Sequence, residues 1–178
     1  AYKIKKPVDL GFVDFTTLRR RRHFCREELR LNRRLAPGLY LSVLSVTGTL
    51  RAPHLGGHGR AIDYAVEMRR FPDGALLADA LAAGRLAGQQ VDALAACIAE
   101  FHQGLPALAA DAPYGRPRDL LRAARDNLTA LGAGARPRTQ ARLRRLAEWT
   151  ESEYRRRRAL LARRRRAGWV RECHGDLH

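Results

Sequence analysis

The sequence predicts an α+β fold: a small strand-rich part holding one helix, followed by a mainly helical part. Three observations carry that expectation. Residues 1–7, 39–49 and 61–68 alternate or cluster Val, Leu, Ile, Tyr and Thr in the manner of strands. From residue 75 onward the apolar residues recur instead at helical spacing. Hydrophobic residues make up 46% of the 178, ordinary for a globular chain of one domain or two small lobes.

The elements follow in order. Residues 1–7 alternate until Pro7, and a loop with Asp9, Gly11 and Asp14 follows. Thr16 or Thr17 caps a helix running to about residue 35, with Phe24, Leu31 and Leu35 on its buried side and Pro37-Gly38 as its stop. Residues 39–49 read as strand, 51–60 as a Gly-rich turn, and 61–68 as the returning strand. Helices are then expected over 75–83, 89–102, 118–131 and 139–166. Val91, Leu94, Ile98 and Phe101 mark the second, and Gly132 to Gly134 break the third. A short strand over 169–173 leads into His174-Gly175-Asp176-Leu177-His178. Residues 1–68 are thus one part and 69–178 the other.

Charge narrows the partners. The net charge is +16 with a pI near 11.2, which favours nucleic acid, anionic surfaces or phosphorylated ligands. Nearly all of it is arginine, in runs at 19–22, 155–158 and 163–166, and such runs equally suit solvated helix faces. The lysines are confined to Lys3, Lys5 and Lys6 on one strand. A lysine is a compact charge on a flexible stem, which arginine does not replace well at a phosphate. Cys25, Cys97 and Cys173 are odd in number and lack a CxxC pair, which suits buried thiols in a reducing cytoplasm. No signal peptide opens the chain and no apolar run approaches the roughly 20 residues of a membrane span, so no membrane partner is expected.

The chemistry concentrates in the final pentapeptide. An Asp two residues after a His, at the end of a short apolar approach, suits a loop in which one carboxylate orients a hydroxyl and accepts its proton. Two rivals stand beside it. His174, Asp176 and His178 could ligate a divalent metal, although no further cluster supplies more ligands. Alternatively, the basic helix over 139–166, with Trp149, Tyr154 and Trp169, could bind nucleic acid, although these aromatics read more easily as core anchors. His54 and His58 are expected to face solvent, and His102 to be a satisfied core histidine.

The ordered set of a strand lysine, a helix glutamate and a terminal His-Gly-Asp resembles the aminoglycoside phosphotransferase family and its choline-kinase-like relatives. The stretches Tyr2-Lys3-Ile4-Lys5-Lys6-Pro7, Glu28-Leu29-Arg30-Leu31-Asn32-Arg33-Arg34-Leu35-Ala36-Pro37 and Val66-Glu67-Met68-Arg69-Arg70-Phe71 are similar to a bacterial branch often fused to a P-loop ATP-binding domain. The resemblance spans essentially the whole chain and implies a protein-kinase-like two-lobed fold, incomplete here, which phosphorylates a small-molecule hydroxyl with ATP and Mg²⁺. By the same resemblance Asp176 is the catalytic base and His174 braces its loop. Lys3 contacts the phosphates, with Lys5 as runner-up, since strand period places Lys5 on the same face and Lys6 on the other. Glu28 orients that lysine, with Glu27 the alternative, and Glu67 and Met68 form the hinge whose backbone meets adenine.

The family's Asn five residues past Asp176, its later metal-binding Asp and the strands covering the nucleotide are not in the sequence. The chain therefore reads as an excerpt at both ends, inactive by itself, from an active kinase. A polycation repels polycationic acceptors, so the acceptor is expected to be a neutral or anionic hydroxyl compound rather than an aminoglycoside.

Overall fold

Four strands rather than three build the sheet. In the computed structural model, which describes residues 1–109 and 111–175, β1 (Tyr2–Ile4), β2 (Tyr40–Gly48), β3 (Pro53–Leu55) and β4 (Asp63–Met68) lie in the order β1-β4-β2-β3. Every neighbouring pair is antiparallel. β3 falls inside the stretch read from sequence as a turn. Its proline opens an edge strand, where the missing N–H breaks no ladder, and Thr47 pairs with His54 and Val46 with Leu55. Gly48, at φ +85°, makes the reversal: a Cβ there would stand 2.4 Å from the Ala52 carbonyl oxygen. The central strand β4 supplies the fully buried Ala65 and Val66, and β2 adds Val46.

α1 (Leu18–Asn32) packs on this sheet. Thr17 caps it, its side chain accepting the Arg20 N–H at 3.2 Å. Its inward row differs from the expected one. Phe24, Leu31 and Leu35 are half-buried, while the deepest positions belong to Arg21 and Cys25, continued at helical spacing by the half-buried Glu28 and Asn32. A buried arginine is tolerated because a carboxylate and two carbonyls answer its N–H groups. Its Nε donates to Asp63 Oδ1 at 2.8 Å, and its Nη1 to the Phe15 and Thr16 carbonyls at 3.0 and 3.1 Å. Phe24 meets Phe15 edge-on instead, with centroids 5.1 Å apart. Burial pushes the Cys25 thiol above its ordinary pKa.

The remaining elements are α2 (Leu77–Ala82), α3 (Gly88–Gly104), α4 (Pro117–Gly132) and α5 (Pro137–Arg166). The chain divides into two compact units: residues 1–103 with His174 and Gly175, and Gly104–Cys173. In the second, α4 and α5 each start on a proline, whose missing N–H is harmless in a first turn. They pack together, with Arg125 Nε donating to Glu151 Oε1 at 2.5 Å. The strand expected over 169–173 contracts to one bridge, Arg171 to Ala107, supported by a 2.9 Å bond from the Leu108 N–H to the Val170 carbonyl. Trp149 and Trp169 are not core anchors: they are 61% and 65% exposed, and the Arg164 guanidinium stands 5.5 Å from the Trp169 ring centroid. No helix among the described residues is long and apolar enough to cross a membrane. The sheet and helices make a mixed α/β architecture.

Replacing Arg21 by Ala should lower stability by about 3 kcal/mol in urea unfolding, because it strands Asp63 and two carbonyls. Replacing Arg70, whose pair with Asp73 is wholly exposed, should change it little. Equal effects would contradict the account of α1's inward row.

Candidate functional site

Strand β1 and helix α1 bring the expected phosphate lysine and helix glutamate together. Lys3 lies opposite Val66 of β4, and Lys5 follows two residues later on the same side. Across from them α1 presents Glu28. Lys3 Nζ donates to Glu28 Oε1 at 2.8 Å and Lys5 Nζ to Oε2 at 2.6 Å, so each carboxylate oxygen takes one ammonium. The choice between the two lysines thus resolves into two different environments. Lys5 and Glu28 are each 12% exposed, and the Lys5 ammonium also stands 5.1 Å from the Phe15 ring centroid. Lys3 is 58% exposed, with one of its three N–H donors directed at Glu28. Glu27, one residue off the inward row, pairs with Arg30 at 2.8 Å on the outer side.

The electrostatics follow from that arrangement. Burial pushes the Glu28 carboxyl up, but the hydrogen bonds and charges of Lys3 and Lys5 outweigh it and hold the group below the usual carboxylate range. The hydrogen bond to Glu28 holds Lys3 above its ordinary value, against a smaller opposing effect of burial. Burial and the Glu28 charge push the Tyr40 phenol up. Two ammonium groups on one carboxylate leave the cluster one positive charge in excess.

His174 joins the same helix. Asn32, one turn beyond Glu28, donates from Nδ2 to the Glu28 carbonyl at 2.8 Å, and its Oδ1 lies 2.8 Å from His174 Nε2. Sequence reasoning passed over Asn32; its four-residue spacing from Glu28, on the same face, was the available signal. Glu67 sits in β4 opposite Tyr2 and accepts a 2.7 Å bond from the Ser42 hydroxyl. Met68 closes the β1–β4 ladder: its N–H donates to the Ala1 carbonyl at 2.8 Å, and Ala1 N donates to the Met68 carbonyl at 2.7 Å. Asp176, the expected base, and His178 of the rival metal site lie outside the described residues. Among the described residues no cluster of three His, Cys, Asp or Glu side chains could hold a metal ion. His54 and His58 are exposed and His102 is half-buried. A shallow depression of about 490 Å³ between α4 and α5, lined by Leu128, Leu143 and Arg144 among others, contains none of the nominated residues.

No family model matches the chain, and no solved structure matches it. Curated mycobacterial proteins do match. "Uncharacterized protein Rv2004c" of Mycobacterium tuberculosis and "Uncharacterized protein Mb2027c" of Mycobacterium bovis are each 38% identical over 103 residues, 58% of this chain. The chain matches 19% of the length of each of these relatives.

Because Glu28 is held below its ordinary 4.5, its contribution to stability is complete above that pH and is lost as pH falls through the lowered value. Lys3, held above 10.5, contributes fully below that pH and loses its contribution as pH rises through the raised value. The stability difference between wild type and Glu28→Gln, measured by urea unfolding, should therefore be constant near neutrality and shrink as pH falls below 4.5 through the lowered value. A difference that stays constant through the acid range would contradict the assignment.

Proposed function

We propose that the protein is an ATP-dependent phosphotransferase acting on a hydroxyl of a small molecule, with the two-lobed protein-kinase-like fold and the chemistry of the aminoglycoside phosphotransferase family. One observation carries the proposal: the largely buried Glu28 side chain gripped by the ammonium groups of Lys3 in β1 and of Lys5 just past it, with Lys3 exposed beyond it. That cluster fits a polyphosphate. Lys5 neutralises Glu28, so the Lys3 charge is not cancelled by its own orienting partner. Glu28 in turn restrains a flexible side chain, so less freedom is lost when Lys3 meets a phosphate oxygen.

ATP, when bound, supplies the transferred phosphoryl group. By the resemblance, Asp176 accepts the proton of the acceptor hydroxyl and His174, which is bonded to Asn32 of α1, is the bracing residue. Glu67 and Met68 stand at the end of β4, and as the hinge their backbone would meet the adenine edge. The described residues do not by themselves form a magnesium site. Free thiols at Cys25, Cys97 and Cys173 suit a reducing cytoplasm. The greater length of the relatives leaves room for further parts, a P-loop ATP-binding domain among them.

In the full-length protein, Asp176→Asn should abolish turnover while leaving ATP affinity nearly unchanged, because the base acts on the acceptor. Retained turnover would contradict the assignment. The acceptor is a neutral or anionic hydroxyl compound, because a chain of net charge +16 repels polycations. Efficient phosphorylation of kanamycin-like substrates would overturn that part.

A second reading draws on the exposure of Trp149 and Trp169 beside the arginines of α5, which suits stacking on a single-stranded nucleic acid. It requires DNA binding that weakens steeply with salt in a filter assay. Absence of binding at low salt removes it.

A further inference from the structure

We infer that Asn32 is a positioning residue that couples Glu28 on α1 to His174 and fixes which nitrogen of that ring carries the proton; the inference rests on the phosphotransferase reading of the His-Gly-Asp motif. Asn32 is the last residue of α1. Its side chain makes two bonds of 2.8 Å, one to the Glu28 carbonyl and one to His174 Nε2. The first decides the orientation of the amide. A backbone carbonyl only accepts, so the amide nitrogen faces Glu28 and Oδ1 faces His174. Oδ1 likewise only accepts, so Nε2 carries the proton, and in the neutral ring Nδ1 is the acceptor nitrogen.

One helical turn therefore holds two devices. The Glu28 side chain grips the strand lysines, and the Asn32 side chain, anchored on Glu28's own carbonyl, grips the histidine two residues before Asp176. A displacement of α1 that draws Glu28 from the lysines also draws the amide from His174. The phosphate-contacting side of the site and His174 are set together rather than independently. A leucine at position 32 would fill similar volume and make neither bond, whereas an aspartate would keep an acceptor for Nε2–H but set an oxygen against the Glu28 carbonyl in place of the donor.

The test is a double-mutant cycle in the full-length protein, with Asn32→Leu, His174→Leu and the double variant, and with Asn32→Asp as the conservative control. The readouts are kcat, the KM for ATP and the midpoint of urea unfolding. Asn32→Leu should lower kcat about tenfold or more while the KM for ATP stays within about twofold, because Glu28 keeps both lysines. The double variant should be no slower than the slower single variant, since the two residues act as one unit. Asn32→Asp should recover most of the lost kcat. Wild-type kcat in Asn32→Leu, or losses that multiply in the double variant, would overturn the inference. A wild-type protein without ATP turnover would overturn the phosphotransferase reading and the catalytic half of this role. The unfolding midpoints of the same variants then judge the coupling alone: a non-additive loss supports it and an additive one overturns it.

Discussion

A largely buried carboxylate is the constraint around which the sheet unit is built. Removing an ionised Glu28 from water costs several kcal/mol unless its oxygens are answered by charge and hydrogen bonds. Lys3 of β1 and Lys5, just past its end, answer both oxygens. The consequence reaches beyond the pair, because β1 is only three residues long and lies at the edge of the sheet, where few interactions hold it. The Glu28 contacts fasten that edge to α1. At the other end of the helix, Arg21 and Asp63 fasten α1 to the central strand β4. Between these charged attachments sits the buried Cys25. The inward row of α1 is thus mostly polar, and its position relative to the sheet is set by directional bonds rather than by apolar packing alone.

Such a row suits a binding site better than a plain core would. Apolar side chains tolerate small slippage, whereas hydrogen-bonded charges specify distance and orientation. Lys5, sealed against Phe15, completes the neutralisation of Glu28, and Lys3 keeps its ammonium towards solvent. The same row ends at Asn32, which reaches His174. Groups separated by more than a hundred residues in sequence therefore meet on one side of one helix.

Much of this was legible in the sequence, and what was hidden has physical reasons. Strand period placed Lys3 and Lys5 on one face, but a one-lysine template forced a choice that a two-oxygen carboxylate does not require. β3 was hidden because Pro53, His54 and the glycines around them look like a turn, and an edge strand tolerates that composition. Hydrophobic periodicity assigned the inward face of α1 to Phe24 and Leu31, because no apolar pattern reveals an arginine whose partner, Asp63, lies far along the chain. Residues 169–173 had strand composition but only a single bridging partner at Ala107, and composition without a neighbour makes no strand. The two tryptophans looked like core by residue type, yet stand exposed. Asn32 looked like an ordinary polar position at a helix end, since a bond to His174 is a tertiary fact.

In the proposed site Lys3 serves a phosphate while Lys5 serves Glu28. The most direct test of that division is calorimetric titration of the full-length protein and its Lys3→Gln and Lys5→Gln variants with ATP, with the unfolding midpoint measured on each. Lys3→Gln should weaken ATP binding about tenfold or more with little change in stability, and Lys5→Gln should show the larger loss of stability. ATP affinity unchanged by Lys3→Gln would contradict the account.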